Sequence, residues 1–251
     1  MNSIFKSINK KNIFLSRNII DYKKFQGVKL IVFDMIGTVI NDKGIVYDTL
    51  YNTLDLYNIP ITKNDIKICS VKNKYKVLDY FALRHFDKTE YNIKRVRMHK
   101  EFDKQLKEQY FYNTNNLSLI HPYVPRLFAN LNNNDIKIAL NTGLSYEIQK
   151  QIILKLKLNY YIDDYITSDM VPHGRPAPYM INRLMDNLNI DNPNVVLKAG
   201  DTPDDILEGK NARCGYTVGV LSGASTIKDL RPYYPTDILH NITELNDSLY
   251  Y

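Results

Sequence analysis

Two acidic motifs contain residue types that could act on phosphorus compounds. Asp34 follows the apolar run 29–33, and a carboxylate at the end of a buried strand can attack phosphorus or bind a metal ion. The segment 200–205 holds three carboxylates, and clustered oxygen ligands of this kind suit Mg²⁺. Turn formation and helix capping are the alternative roles, because Asp is favoured in both. The two motifs therefore predict either a metal-assisted site or two ordinary strand-to-helix turns.

Two further motifs could bind an anionic group. Thr142-Gly143 follows the apolar run 135–140 and offers a hydroxyl and backbone amides to a phosphoryl oxygen, or an N-cap to the following helix. Arg175 lies in the segment 174–178, where two prolines fix the backbone and would aim the guanidinium at little cost in entropy. There it would offset the charge between a carboxylate nucleophile and a phosphate, unless it is only a solvated loop cation.

The elements that must position these motifs alternate between strands and helices. Strands are predicted at 29–33, 135–140, 160–167, 194–199, 216–220 and 237–239. Helices are predicted at 146–158, 178–188 and 206–212, and 48–109 has a helical pattern without a strong strand. Such alternation predicts a parallel sheet covered by helices, with ligands beyond the carboxyl ends of the strands. Because Asp34, Thr142 and Asp201 all fall at strand ends, we expect them to converge.

The charge is distributed unevenly along the chain of 251 residues, whose net charge is +6. Residues 1–27 hold six Lys/Arg and one Asp, and 63–108 hold thirteen Lys/Arg and seven Asp/Glu, so the remainder is acidic. We expect a basic N-terminal tail or presequence at 1–27, a core formed by 28–42 and 118–251, and a helical cap at 43–117. A basic segment joined to an acidic body suits small anionic substrates as readily as nucleic acid.

Composition excludes several classes of protein. The 44% hydrophobic and 24% charged residues are typical of a globular chain. No apolar run approaches the ~18 residues of a membrane-spanning helix, so we expect no membrane association. Cys69 and Cys214 are far apart and form no CxxC, which supports neither a disulfide framework nor a zinc knuckle. We expect a cytoplasmic location, with the mitochondrial matrix as the alternative if 1–27 is a presequence.

Together the four motifs resemble those of the haloacid dehalogenase superfamily, in the family's order and over residues 28–245. The resemblance implies an α/β fold with a Rossmann-like parallel-sheet core and an inserted helical cap. It implies that Asp34 is the nucleophile. The phosphoryl group would be bound by three residues, Thr142, Gly143 and Arg175. Mg²⁺ would be bound by four, Asp34, Ile36 through its backbone carbonyl, Asp201 and, in support, Asp205.

The first motif is similar to that of one subfamily. It reads Asp34-Met-Ile-Gly-Thr38, which looks like the Asp-Met-Ala-Gly-Thr of the phosphonatase-like (phosphonoacetaldehyde hydrolase-like) members, and Arg175 also looks like theirs. In the hydrolase proper a cap lysine forms a Schiff base with a phosphonate aldehyde, and Lys74 is the counterpart that the resemblance implies. Ser70-Val71 and Val77 depart from the Met-Gly and His expected around that lysine.

Several functions remain open. One is cleavage of the C–P bond of a phosphonate aldehyde through Lys74. Another is phosphomonoester hydrolysis, although Ile36 replaces the Asp that protonates the leaving group in the family's phosphatases. A third is a protein of low activity that binds a phosphorylated ligand. We expect a small phosphorylated or phosphonate metabolite as the partner and no nucleic acid, and we leave a homodimer open. A nucleic-acid surface would need stacking aromatic side chains such as Tyr75, and these suit a core equally well.

Overall fold

The computed structural model describes residues 24–62, 65, 73–112 and 116–250. The predictions made for Cys69, for Ser70-Val71 and for most of the N-terminal tail fall on residues outside these ranges. Within the described ranges, no helix is both long enough and apolar enough to cross a membrane.

Parallel strands form the centre of the molecule. In the described residues the strands are β1 (Leu30–Asp34), β2 (Ile40–Asn41), β3 (Ser118–Leu119), β4 (Lys137–Thr142), β5 (Asp164–Thr167), β6 (Val196–Gly200), β7 (Tyr216–Val220) and β8 (Asp237–Leu239). Six of them form one sheet in the order β5-β4-β1-β6-β7-β8, with every neighbouring pair parallel. Short strands β2 and β3 pair antiparallel beside it. The predicted α/β class is confirmed.

Strand β1 occupies the middle of the sheet because its sequence can be buried on both faces. Residues 30–33 are all apolar and fully buried, as expected for a parallel strand covered on each side. In register, Asp34 lies opposite Asn141 of β4, and Phe33 lies opposite Ala199 of β6. This register places the carboxyl ends of β1, β4 and β6 at one edge of the sheet, which is where the site lies.

Helices cover the sheet and fill the insertion between β2 and β3. The described helices are α1 (Ile45–Leu56), α2 (Lys74–His85), α3 (Lys88–Lys107), α4 (Val124–Asn133), α5 (Tyr146–Lys155), α6 (Tyr179–Asn187), α7 (Pro203–Asn211), α8 (Ile227–Leu230) and α9 (Leu245–Tyr250). Helices α1, α2 and α3 lie between β2 and β3 in the chain, within the interval 43–117 predicted as a cap. Helix α2 begins after Asn73, whose side chain accepts a hydrogen bond from the amide of Lys76.

One apolar cluster runs from the sheet into the inserted helices. Phe33 of β1 packs on Phe128 of α4, with ring centroids 5.3 Å apart, and the same cluster includes buried Leu50, Leu78 and Phe102 of α1, α2 and α3. A second, smaller cluster packs α6 on the other face of the sheet. The cap helices therefore share a core with the body that they cover.

The structure differs from the predicted elements in several places. Helices α4, α8 and α9 and the short strands β2 and β3 were not predicted. Strand β5 begins at Asp164 rather than residue 160, because Leu158–Tyr160 forms a 3₁₀ turn. Phe25 is buried against Tyr216, and the hydroxyl of Tyr216 donates to the carbonyl of Gln26, so the packed body begins before the predicted limit at residue 28.

Candidate active site

A small cavity lies between the carboxyl ends of the central strands and the cap. Its volume is about 90 Å³. Most of the sequence-predicted site residues line it, namely Asp34, Ile36, Lys74, Thr142, Gly143, Arg175 and Asp201. Lys74 and Tyr47 come from the cap helices, and the others come from the core. The expected convergence of motifs that are far apart in sequence is thus present in the fold.

Arg175 is held by hydrogen bonds at all three guanidinium nitrogens. Its Nη1 lies 2.6 Å from Oδ1 of Asp34 and 3.0 Å from Oδ1 of Asp205. Its Nη2 donates to the backbone carbonyl of Asn141 at 2.8 Å and to Oδ1 of that side chain at 2.6 Å. Its Nε donates to Oε2 of Glu208 at 3.2 Å. Burial alone would lower the pKa of Arg175, but the carboxylates of Asp205, Asp34 and Glu208 raise it, so the guanidinium stays charged.

Three polar residues of this cluster were not predicted as site residues: Asn141, Lys198 and Glu208. Lys198 is fully buried, and its Nζ lies 2.9 Å from Oδ1 of Asp205 and 3.0 Å from Oδ1 of Asn141. Glu208 is also fully buried and accepts from Nδ2 of Asn141 at 2.9 Å. The sequence contains one signal for this cluster, because Lys198 lies inside the apolar run 194–199. A Lys buried in a strand needs an acidic partner that is also buried.

Asp205 is engaged on both carboxylate oxygens. Oδ1 is shared by Arg175 and Lys198, and Oδ2 accepts from the hydroxyl of Thr202 at 2.6 Å, which forms a capping box at the start of α7. Burial would raise the pKa of Asp205, but the two cations outweigh it and hold that pKa below its usual range. Asp205 therefore positions the side chains of Arg175 and Lys198. Its supporting part in metal binding stays a prediction.

Asp201 is enclosed by backbone on the opposite side of the site. Its Oδ2 accepts from the amide of Ala224 at 2.7 Å, and the hydroxyl of Thr38 lies 3.5 Å from Oδ1. A Cβ at Gly223 would lie 2.0 Å from Oδ2, and one at Gly37 would lie 2.6 Å from it, so both positions require glycine. Burial, and then the charges of Asp34 and Asp205, raise the pKa of Asp201 to about 8.

The carboxylates provide a donor set that fits a divalent cation. One oxygen of each of Asp34, Asp201 and Asp205 lies within 4.8 Å of the others, and all three residues are buried. Burial also raises the pKa of Asp34, and the charge of Asp205 adds to that rise. Buried carboxylates that repel one another are stabilised by a cation with hard-oxygen preference, so these residues suit Mg²⁺.

Lys74 is the first residue of α2 and projects into the cavity from the cap side. Its Nζ lies 4.6 Å from the ring centroid of Tyr47, an arrangement in which the aromatic face stabilises the ammonium. Burial lowers the pKa of Lys74 to about 8, against the opposing charges of Asp201, Asp34, Asp42 and Asp204. A substantial fraction of the amine is therefore neutral, and nucleophilic, near pH 8.

The remaining predicted residues occupy consistent positions at the cavity wall. The Oγ1 of Thr142 accepts from the amide of Leu144 at 3.3 Å. A Cβ at Gly143 would lie 2.9 Å from Nδ2 of Asn73, so glycine allows the core loop to approach the start of α2 closely. His173 lines an adjoining cleft of about 420 Å³ rather than this cavity.

A family model for haloacid dehalogenase-like hydrolases matches residues 28–213. The chain belongs to that family. Among curated relatives, the phosphonoacetaldehyde hydrolase of Parabacteroides distasonis is 29% identical over 223 residues, covering 81% of this chain and 78% of that protein. The phosphonoacetaldehyde hydrolase of Bacillus cereus strain B4264 is 36% identical over 105 residues, which cover 41% of this chain and 39% of that protein.

Comparison with solved structures shows the same fold. A haloacid dehalogenase-like hydrolase from Bacteroides fragilis superimposes with a TM-score of 0.73 at 19% identity, covering 87% of this chain and 99% of that one. A predicted phosphoglycolate phosphatase from Haemophilus somnus 129PT superimposes with a TM-score of 0.69 at 19% identity, covering 88% and 97%. At these identities the superpositions support the fold alone. The chain is therefore a haloacid dehalogenase-like hydrolase that is similar in sequence to curated phosphonoacetaldehyde hydrolases.

Proposed function

We propose that this hydrolase cleaves the C–P bond of a small phosphonate that carries an aldehyde, in a Mg²⁺-dependent reaction. One observation carries the proposal: the Lys74 amine and the Asp34 carboxylate line the same cavity of about 90 Å³. A substrate of only a few heavy atoms placed there would meet an amine that can capture its aldehyde and a carboxylate that can capture its phosphorus. The names of the relatives from Parabacteroides distasonis and Bacillus cereus support the same substrate class.

The first step belongs to Lys74. Its neutral amine adds to the aldehyde carbon and the adduct loses water, which leaves a protonated imine. The lowered pKa of about 8 supports this role, because an amine with an ordinary pKa would be almost entirely protonated at neutral pH. The ring of Tyr47 lies against the amine and limits the positions that it can take.

Phosphoryl transfer belongs to Asp34. A carboxylate oxygen attacks phosphorus, the C–P bond breaks, and its electron pair moves into the iminium nitrogen, giving an enamine on Lys74 and an aspartyl-phosphate on Asp34. Arg175 and Thr142 bind the phosphoryl oxygens as charge shifts onto them. When bound beside Asp34, Asp201 and the Ile36 carbonyl, Mg²⁺ supplies additional positive charge at the transferring group.

Turnover requires two hydrolytic events. The enamine takes a proton on carbon and the resulting imine is hydrolysed, which releases the shortened aldehyde and the free Lys74 amine. Water attacks the phosphorus of the aspartyl-phosphate and restores the Asp34 carboxylate with release of phosphate. Ile36 supplies no proton at any step, and this route needs none there because the leaving carbon is stabilised through the imine nitrogen.

Trapping the imine tests the proposal. Borohydride added with phosphonoacetaldehyde should attach the substrate carbon skeleton irreversibly to Lys74, as located by mass spectrometry. Lys74→Arg should lose both labelling and phosphate release, because Arg keeps the charge but does not condense with an aldehyde at ordinary pH. Lys76→Arg is the matched control, since Lys76 is exposed and two residues away. Labelling that persists in Lys74→Arg, or native protein that releases phosphate without labelling, refutes imine chemistry.

Phosphomonoester hydrolysis on the same Asp34 is the second candidate. It needs the same nucleophile, which lines the cavity together with Thr142, Arg175 and Asp201 whatever group leaves the phosphorus. A panel of phosphonates and phosphomonoesters assayed with and without Mg²⁺ distinguishes the two. In either case Asp34→Asn should abolish turnover, and full activity in that variant would exclude Asp34 as the nucleophile.

A further inference from the structure

Arg175 contacts Asp34 through one nitrogen, and two buried side chains without a role in the proposed chemistry bind the other two. Glu208 accepts from Nε at 3.2 Å, and Asn141 accepts from Nη2 through both its backbone and its side-chain oxygen. We propose that Glu208 and Asn141 are positioning residues that fix the Arg175 guanidinium toward Asp34 and the phosphoryl group. The inference rests on the proposed function for the role of Arg175, and on geometry for the positioning itself.

The planar shape of the guanidinium makes such anchoring effective. Its N–H donors lie in one rigid plane, so acceptors at Nε and Nη2 determine where the remaining Nη1 donors point. In this structure Nη1 points at Oδ1 of Asp34, 2.6 Å away. Without the Glu208 and Asn141 acceptors, the guanidinium would be held only at Nη1, by Asp34 and Asp205, and its plane could rotate about the side-chain bonds.

The two anchors also fix each other. Asn141 donates from Nδ2 to both Glu208 oxygens, at 3.0 and 2.9 Å. Its Oδ1 accepts from Arg175 at 2.6 Å and from Lys198 at 3.0 Å. Because two cations face the oxygen of the Asn141 amide and a carboxylate faces its nitrogen, the amide can take only one orientation. Glu208 and Lys198 are fully buried, so this network is shielded from competition with water.

Helix α7 presents its polar residues to the Arg175 loop at three-residue intervals. Asp205 contacts Nη1, Glu208 contacts Nε, and Nδ2 of Asn211 donates to the carbonyl of Pro176 at 2.7 Å. Residues three apart lie on one face of a helix, so a single rigid element holds both the side chain and the backbone of the loop. Buried ion pairs add little net stability compared with apolar packing, which favours an orienting role for Glu208.

Nuclear magnetic resonance of arginine side chains tests the positioning without any substrate. The Nε–H signal of Arg175, identified by its loss in Arg175→Lys, should be protected from solvent exchange in the native protein. Glu208→Gln keeps the side-chain shape but removes the charge, and exchange should accelerate about tenfold or more. Asp163→Asn removes a carboxylate that pairs with Lys137 at the other edge of the sheet and should leave the signal unchanged. An Arg175 signal that is unaltered in Glu208→Gln overturns the inference.

A double-mutant cycle gives a second readout. With Mg²⁺ present, the affinity for inorganic phosphate should fall about tenfold in Glu208→Gln, and the double variant with Arg175→Lys should bind no more weakly than Arg175→Lys alone. Independent, additive losses would mean that Glu208 acts by another route and would overturn the inference. If Glu208→Gln does not fold, Asn141→Ser makes the same exchange prediction. Native protein that binds no phosphate would contradict the proposed function, while the exchange experiment would still decide the positioning.

Discussion

Ile36 lines the cavity two residues after Asp34, and the resemblance described above assigns this sequence position to the Asp that protonates the leaving group in the family's phosphatases. An alkoxide leaves poorly as an anion, so a proton donor at that point typically contributes about 10²–10⁴-fold to the rate. A carbon leaving group whose electron pair moves into an iminium nitrogen needs no proton donor at that point. One apolar side chain therefore favours C–P cleavage over ester hydrolysis at an otherwise shared site.

We expect Ile36→Asp to raise the activity on an alkyl phosphomonoester from a low native level, because the carboxyl group supplies the missing proton. The measurement is kcat/KM for phosphate release. Ile36→Asn is the control, since it has the same polar shape without an acidic proton and should give no rise. High native activity on the ester that falls in Ile36→Asp would show instead that Ile36 only packs and that another group donates the proton.

At the scale of elements, the loops that follow β1 and β7 hold Asp201, which itself follows β6, by close backbone contact. The Ala224 amide and the two glycines Gly37 and Gly223 surround its carboxylate. Such contact positions a metal-binding side chain more firmly than hydrogen bonds from mobile side chains would. Its cost is that these positions tolerate no added carbon.

Gly223→Ala should therefore reduce activity by at least about tenfold and destabilise the fold by about 1–3 kcal/mol, because the new methyl group displaces the Asp201 carboxylate. Activity and denaturant midpoint measure the two effects. Gly27→Ala is the control: Gly27 has a positive φ of 71° but no atom within 4 Å of its added Cβ, so it should lose some stability and no activity. Equal activity in Gly223→Ala and native protein would show that Asp201 need not hold its position.

The residues just before β1 form part of the packed body. Phe25→Ala should cost about 3–5 kcal/mol, as is typical for a buried Phe, and should lower the melting temperature by several degrees. A chain that begins at residue 28 should be destabilised similarly, whereas one that begins at residue 22 keeps Phe25. Unchanged melting of the chain from residue 28 would restore the simpler expectation of a tail ending at residue 27.

Local sequence patterns predict the sheet and most of the site, because strand ends and polar motifs are short-range features. The ends of β7 and β8 agree with the predicted 216–220 and 237–239. Helix α4 was missed, although Val124, Leu127, Phe128 and Leu131 follow helical spacing. The apolar run around Lys198 indicates its burial, but the burial of Glu208 could not be recognised from its own helix, since it depends on how α7 packs on β6. The approach of Lys74 to Asp34 depends in the same way on the docking of the cap.

For the whole molecule, the proposed binding of Mg²⁺ by the buried carboxylates of Asp34, Asp201 and Asp205 would couple metal binding to folding. A ligand that binds only the folded state stabilises it, by about 2.7 kcal/mol at one hundred times its dissociation constant. In a chain of this size that corresponds to a rise in melting temperature of about 5–10 °C. Asp201 should contribute to this response, because without metal its ionisation is opposed by burial and by the charges of Asp34 and Asp205.

We therefore expect Mg²⁺ to raise the melting temperature of the native protein and to have little effect on Asp201→Asn. Without Mg²⁺, Asp201→Asn should melt no lower than the native protein, because burial and the charges of Asp34 and Asp205 oppose the ionisation of Asp201 and raise its pKa to about 8. Asp163→Asn should keep the native response. The same Mg²⁺-induced rise in Asp201→Asn would place the ion elsewhere.

The central position of β1 also bears on how the chain folds during synthesis. Its partners β4 and β6 begin at residues 137 and 196, and the whole cap is inserted before the first of them. The strand that ends in Asp34 is therefore synthesised early. It stays an unpaired apolar segment until β4 and β6 have been synthesised. Contacts between residues so far apart in sequence slow folding and expose such a segment to aggregation. The strand that ends in Asp34 is for this reason a part of the nascent chain that needs protection from aggregation.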